Sequence, residues 1–208
     1  MYDIEPEHKK LNLGCGFKKL LDHWNIDVEK KCNPDQIVDL EQFPWPFEDN
    51  YFEHITADNI LEHLGQNPRV FTQVMKEMYR VSTDQATWFV NFPHHRCDLF
   101  YDDYTHVRYL TSKTFKMFDQ QVNFDSINRK LSDSTFGLYH DVDIEVLDIN
   151  HNLTSYFLDK LNEGMIGTKE LNIQMNTISN VCETVSIHIK VHKPGRYINW
   201  YHNNSKND

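Results

Sequence analysis

Residues 11–16 read Leu-Asn-Leu-Gly-Cys-Gly, and Asp27 follows in Trp-Asn-Ile-Asp, eleven residues after Gly16. An apolar run ending in Gly-x-Gly predicts a buried strand, Leu11–Leu13, opening into a loop where backbone approaches a ligand closely. Glycine suits that loop because it has no Cβ to obstruct the approach and reaches positive φ without strain. A carboxylate closing the next strand, Asn25–Val28, is placed to accept from the vicinal hydroxyls of a ribose. Together they make the nucleoside half of a Rossmann-type site. An ordinary turn and a surface aspartate satisfy the same short pattern, so the rest of the chain decides.

Further strands are expected at Gln36–Leu40, Phe52–Ala57, Ala86–Phe92 and Ile144–Ile149. Val185, Ile187, Ile189 and Val191 alternate with Ser186, His188, Lys190 and His192, which marks a last strand with one wet face. Phe17–Trp24 has room for a turn or two of helix, and Asn59–Leu64 for a short helical stretch. The clearest helix is Pro68–Ser82, with Asn67 as N-cap and Pro68 at the first helical position. Val70, Phe71, Val74, Met75, Met78 and Val81 form its apolar stripe, while Arg69, Gln73, Lys76, Glu77 and Arg80 are expected to face water. Phe43–Asn50 reads as a loop. Thr111 caps a short helix carrying Phe115 and Phe118, and Gln120–Asp141 reads as a polar insertion. Leu153, Phe157, Leu158 and Leu161 share a helical face ending at Gly164, and the two late strands can pair as a hairpin. Strands alternating with helices predict a parallel α/β sheet. One domain is expected over residues 1–195, with a polar, frayed tail over 196–208.

The formal net charge of −10 opposes binding to phosphate backbones and anionic lipid, so a nucleic-acid partner is not expected. No run of eighteen apolar residues is present, and the N-terminus lacks a basic region followed by an apolar stretch. Neither a membrane span nor a secretion signal is expected. Cys15, Cys32, Cys97 and Cys182 contain no Cys-x-x-Cys pair. This favours reduced thiols in a cytoplasmic protein over a disulfide frame or structural zinc.

Leu-Asn-Leu-Gly-Cys-Gly (11–16), Asn-Ile-Asp (25–27) and Val-Asp-Leu-Glu (38–41) resemble motifs of the class I S-adenosylmethionine-dependent methyltransferases, especially compact bacterial and phage members. The likeness continues, in the family's order, through Pro-Phe-Glu-Asp-Asn-Tyr-Phe-Glu (46–53), Asn-Ile-Leu-Glu-His-Leu (59–64), Met-Lys-Glu-Met-Tyr-Arg-Val (75–81) and Asp-Tyr-Thr-His-Val-Arg-Tyr-Leu-Thr (103–111). The resemblance implies an α/β, Rossmann-like, seven-stranded, mostly parallel sheet, its last strand antiparallel, with helices on both faces. It also implies S-adenosyl-L-methionine as cofactor. Asn12, Gly14, Cys15 and Gly16 would meet its amino-acid part, and Asp27 with Val28 its ribose. Asp39 would accept from the adenine amino group, with Leu40 beside the ring. Asp58 and Asn59 would floor the pocket or face the acceptor. Two positions depart from the family: Asn12 stands where an acid is common, and Lys18 where a third glycine is common.

The implied reaction moves a methyl group to an oxygen or nitrogen of a small-molecule acceptor, with specificity carried by insertions within 94–180. His63, His94, His95 and His106 are the histidines that can serve as base. His106 leads because Asp103 and Arg108 accompany it, and His94 is second. A metal at His94-His95-Arg96-Cys97 is set aside, because adjacent histidines seldom converge on one ion; no metal is expected. Phe92, Phe100, Tyr101, Tyr104 and Tyr109 either line an acceptor pocket or form a small aromatic core. A methyltransferase-like binder without turnover is the alternative. A nicotinamide-dependent oxidoreductase is disfavoured by Lys19, which occupies the third glycine of Gly-x-Gly-x-x-Gly, and by a first crossover too short for a full helical return.

Overall fold

The structure, a computed structural model, describes residues 6–204. Its strands are β1 (Lys10–Leu13), β2 (Trp24–Asp27), β3 (Gln36–Ile37), β4 (Phe52–Asp58), β5 (Ser82–Pro93), β6 (Ile144–Leu153) and β7 (Cys182–Val191). They form one seven-stranded sheet in the order β3-β2-β1-β4-β5-β7-β6. β7 alone runs antiparallel to its neighbours, between β5 and β6. This is the expected sheet.

Parallel register puts Leu11 beside Trp24 and Ile55, and Ile55 beside Trp88. That face carries the core. The longest helix, α1 (Pro68–Val81), closes it with Phe71, Val74, Met75, Met78 and Val81, and Phe115 of α3 (Ser112–Lys116) joins the same cluster. The predicted cap of α1 is present, Asn67 accepting from Arg69 N–H at 3.0 Å. Glu77 departs from expectation. Loop 43–50 folds over this end of α1 with Trp45 and Phe47 fully buried, and Glu77 is buried beneath it. Its carboxylate accepts from Trp45 N–H at 2.6 Å and pairs with Arg80 at 2.7 Å, so the ion pair replaces water.

The opposite face borders a cavity at its centre. Asn12, Thr56, Phe89 and His188 lie side by side across β1, β4, β5 and β7. The expected helix over Phe17–Trp24 is absent: the crossover forms turns tied to β2 by the Asn25 side chain. Asn25 Oδ1 accepts from Leu20 N–H at 2.8 Å, and its amide donates to the carbonyls of Leu20 and His23. Lys19 anchors the same loop through Asp35 at 2.6 Å. On β7, at its internal position in the sheet, His188 is exposed and Lys190 half-buried, while Ser186 is buried.

Five further expectations change. β3 ends at Ile37, and β5 begins directly after α1. The segment 120–141 contains α4 (Gln120–Asn128) and α5 (Phe136–Tyr139). β6 and β7 pair, but α6 (Ser155–Asn162) and α7 (Thr168–Thr177) separate them, so no tight hairpin forms. Within the stretch expected to fray, residues 196–204 are fastened instead, and 205–208 lie outside the described residues. Arg196 binds Asp143 and Asp119, each at 2.8 Å, and Tyr197 stacks on Phe124 before α8 (Ile198–Asn204).

Candidate cofactor and acceptor site

The loop leaving β1 passes through positive φ at Gly14 (+58°) and Gly16 (+49°). A Cβ on Gly14 would stand 2.5 Å from Ile60 Cδ1, so packing closes this position; one on Gly16 would meet nothing within 4 Å, leaving backbone open to a ligand. Gly16 N–H donates to Asp27 Oδ2 at 2.8 Å, and Glu29 N–H donates to Oδ1 at 2.7 Å. Each carboxylate oxygen keeps acceptor capacity. Asp27 is therefore oriented by backbone and still able to take a diol.

The strand ends continue this edge. Val38 N–H donates to Asp27 O, which sets Asp39 next in line, and Asp39 Oδ1 accepts from Glu41 N–H at 2.9 Å. Asp39 and Val28 are exposed, whereas Leu40 is buried with its carbonyl accepting from Trp45 Nε1 at 3.1 Å. Buried Asn12 donates to Asn25 Oδ1 at 3.0 Å and to Lys18 O at 3.4 Å, bracing the glycine loop. Burial, with Asp27 adding to it, pushes the Cys15 thiol up to about 11, so this cysteine is no thiolate at neutral pH. Asp58 Oδ1 accepts from Asn91 Nδ2 at 2.8 Å, and Asn59, at φ +52°, donates its N–H to Asn91 O.

A cavity of about 700 Å³ joins these parts, within the size range of small-molecule sites. Asn12, Gly14, Cys15, Gly16, Asp58 and Asn59 line it; Asp27, Val28, Asp39 and Leu40 lie outside its wall, along the strand ends. The rest of the lining, which includes His23, His54, Thr56, Phe89 and His188, has no counterpart among the expected site residues. Register across the sheet face is what assembles it. The strict alternation of β7 was the signal available in the sequence.

The 98–110 segment, beginning with α2 (Asp98–Tyr101), docks on a 3-10 turn at Leu61–His63, where Glu62 O accepts from the N–H groups of Val107 and Arg108. Arg108 also donates to Gly65 O and lies over the Phe71 ring. His106 Nδ1 donates to Phe100 O at 2.7 Å, so its lone pair is on Nε2. Thr105 hydroxyl donates to Asp103 Oδ1 at 2.6 Å and accepts from His63 Nδ1 at 2.9 Å, which leaves the His63 lone pair on Nε2 as well. The two rings meet edge to face, centroids 4.5 Å apart. Beside them Glu62 is only 1% exposed, and neither carboxylate oxygen has a hydrogen-bond partner. Burial, together with Asp58 and Asp103, pushes its carboxyl up to about 7.

His94 is elsewhere. It is buried where β5 meets β7, outside the cavity wall, and its Nδ1 accepts from Arg96 N–H at 3.2 Å. Burial, reinforced by His95, His151 and Arg96, holds it down at about 4, too weak a base to take a proton well at neutral pH. The aromatic group divides: Phe100 stacks on Tyr109 at 4.5 Å, Phe92 belongs to the main core, and Tyr104 is 96% exposed.

No protein-family model matches this chain, and no curated protein does. Solved structures match in fold. A SAM-dependent methyltransferase from Archaeoglobus fulgidus superposes with a TM-score of 0.56 at 14% identity, covering 87% of this chain and 85% of that one. A SAM-dependent methyltransferase from Methanosarcina mazei gives 0.50 at 11% identity, covering 88% and 92%. The [4+2]-cyclase SpnF gives 0.50 at 12% identity, covering 88% and 75%. The chain thus has the class I SAM-dependent methyltransferase fold. One neighbour is a cyclase, so fold alone does not dictate the reaction. Among the described residues, no helix is long and apolar enough to cross a membrane.

Proposed function

We propose that this chain is a methyltransferase that uses S-adenosyl-L-methionine to methylate an oxygen or nitrogen of a small-molecule acceptor. The observation that carries the reading is the Asp27 carboxylate, gripped by Gly16 N–H at 2.8 Å beside the glycine loop that opens on the cavity. The residues fit an adenosyl group: an oriented acceptor for a ribose diol, open backbone at Gly16, and Asp39 one strand further along. When bound, S-adenosyl-L-methionine supplies a methyl group on a cationic sulfur, ready for in-line attack. Asp27 and Asp39 would hold the nucleoside. Asp58 and Asn59 would fix the donor end, and the cavity walls would keep water from the line of attack.

On the acceptor side, His106 Nε2 is the lone pair offered to the acceptor's proton, with Nδ1 fixed by Phe100 O. Neither His94 nor His106 lines the cavity, but His94 is held near 4, too weak a base, and takes no part in this reading. The acidic surface supports a small acceptor over a polynucleotide. The specificity segment is 98–110, and it carries the exposed Tyr101, Tyr104 and Tyr109.

Isothermal titration with S-adenosylhomocysteine tests the reading. One site is expected, and Asp27→Ala should weaken it at least about 100-fold, since two charge-assisted bonds are lost. His106→Ala should keep that affinity while slowing methyl transfer about 100-fold. Binding of NAD without binding of the methionine nucleoside overturns the proposal, as does affinity untouched by Asp27→Ala.

A further inference from the structure

We propose that Glu62, His63 and His106 form a site for one divalent transition-metal ion of the zinc, iron or manganese type. One carboxylate oxygen and one nitrogen from each ring lie within 4.8 Å of one another. Ligands about 2.1 Å from a common ion are at most about 4.2 Å apart, so side-chain rotation of under about 1 Å closes the set. Two imidazoles and a carboxylate suit these ions better than calcium or magnesium, which prefer oxygen ligands.

Three features argue for a built site. Glu62 is buried with both oxygens unpartnered, a costly arrangement that a cation relieves. Both histidines have Nδ1 engaged, by Phe100 O and by the Thr105–Asp103 pair, so each offers Nε2. Such outer hydrogen bonds fix ring and tautomer in metal-ligating histidines. Finally, Glu62 O receives the N–H groups of Val107 and Arg108, which locks the segment carrying His106 onto the turn carrying the other two ligands. Asp103 Oδ2 lies 4.0 Å from His106 Nε2, so the cluster also has a carboxylate at its edge. The adjacent pair His94-His95, set aside from the sequence, is a poorer candidate because His94 Nδ1 is taken by Arg96 N–H.

Metal uptake does not depend on the methyltransferase reading, although its consequence does. Asn59, in the cavity wall, is three residues before Glu62. If that reading holds, the ion's open positions would take an acceptor hydroxyl and acidify it. His106 would then act through the ion rather than as the base.

Chelator-stripped, tag-free protein titrated with Co²⁺ and followed by visible d–d absorption tests the site. One equivalent is expected to bind and to be displaced by Zn²⁺. His106→Ala and Glu62→Gln should each weaken binding at least tenfold, while His94→Ala leaves it unchanged. No stoichiometric uptake by wild type overturns the proposal, as does loss confined to His94→Ala. Should the ligand variants not fold, Mn²⁺ broadening of histidine ring signals in the wild-type protein decides. Broadening selective for His63 and His106 supports the site, and any other pattern overturns it. Neither experiment contains the methionine nucleoside, so failure here leaves the nucleoside titration standing, and the reverse holds too.

Discussion

Gly14 and Gly16 share a left-handed backbone for different reasons, and substitution should separate them. Gly16→Ala meets open space, so it should cost only the conformational penalty, about 1–2 kcal/mol, while obstructing the cofactor. Gly14→Ala adds an overlap with Ile60 and should cost more in urea denaturation. Equal losses for the two variants would refute the packing argument. Both glycines and Asp27 were legible in the sequence because their chemistry is local: a strand, a turn and a strand end within seventeen residues. Glu62 was not. Its residue type sat inside a quoted motif, yet the missing partner depends on the neighbouring turn and the docked segment after β5.

At the level of elements, the crossover between β1 and β2 is a laced loop, and the central sheet face beside it borders the cavity. The cavity lining gathers His23, His54 and His188. Burial, then the nearby His23, Lys10 and His188, pushes His54 down to about 4. An unfolded histidine titrates near 6.5, so between those values the unfolded chain binds the extra proton. Stability should therefore be level above about pH 6.5 and fall as pH drops toward 4. His54→Asn should narrow the difference in urea midpoint between pH 7.5 and pH 5. An unchanged difference would mean that His54 is not desolvated in the folded protein. For α1 the apolar stripe was readable, since period and cap are local signals. Glu77 was misread because loop 43–50, far from it in sequence, covers its side of the helix.

For the whole molecule, the C-terminal segment closes the structure around two buried carboxylates. Asp143 is fully buried, and Arg196 binds it through backbone N–H and guanidinium together while reaching Asp119. Arg196→Met would leave both acids without their cation and should destabilise the protein by about 3 kcal/mol. Urea denaturation reads this, and a loss below about 1 kcal/mol would show that the pair contributes little.

The succession of elements along the chain, the glycine loop, the acid at the second strand end and the long amphipathic helix were set by the sequence alone, because period, cap and turn chemistry act over a few residues. The tertiary structure decided which polar groups lost water and which lone pairs were left over. Those properties arise between segments far apart in the chain, as in the cavity lining, the Glu62–His63–His106 cluster and the Arg196 clamp.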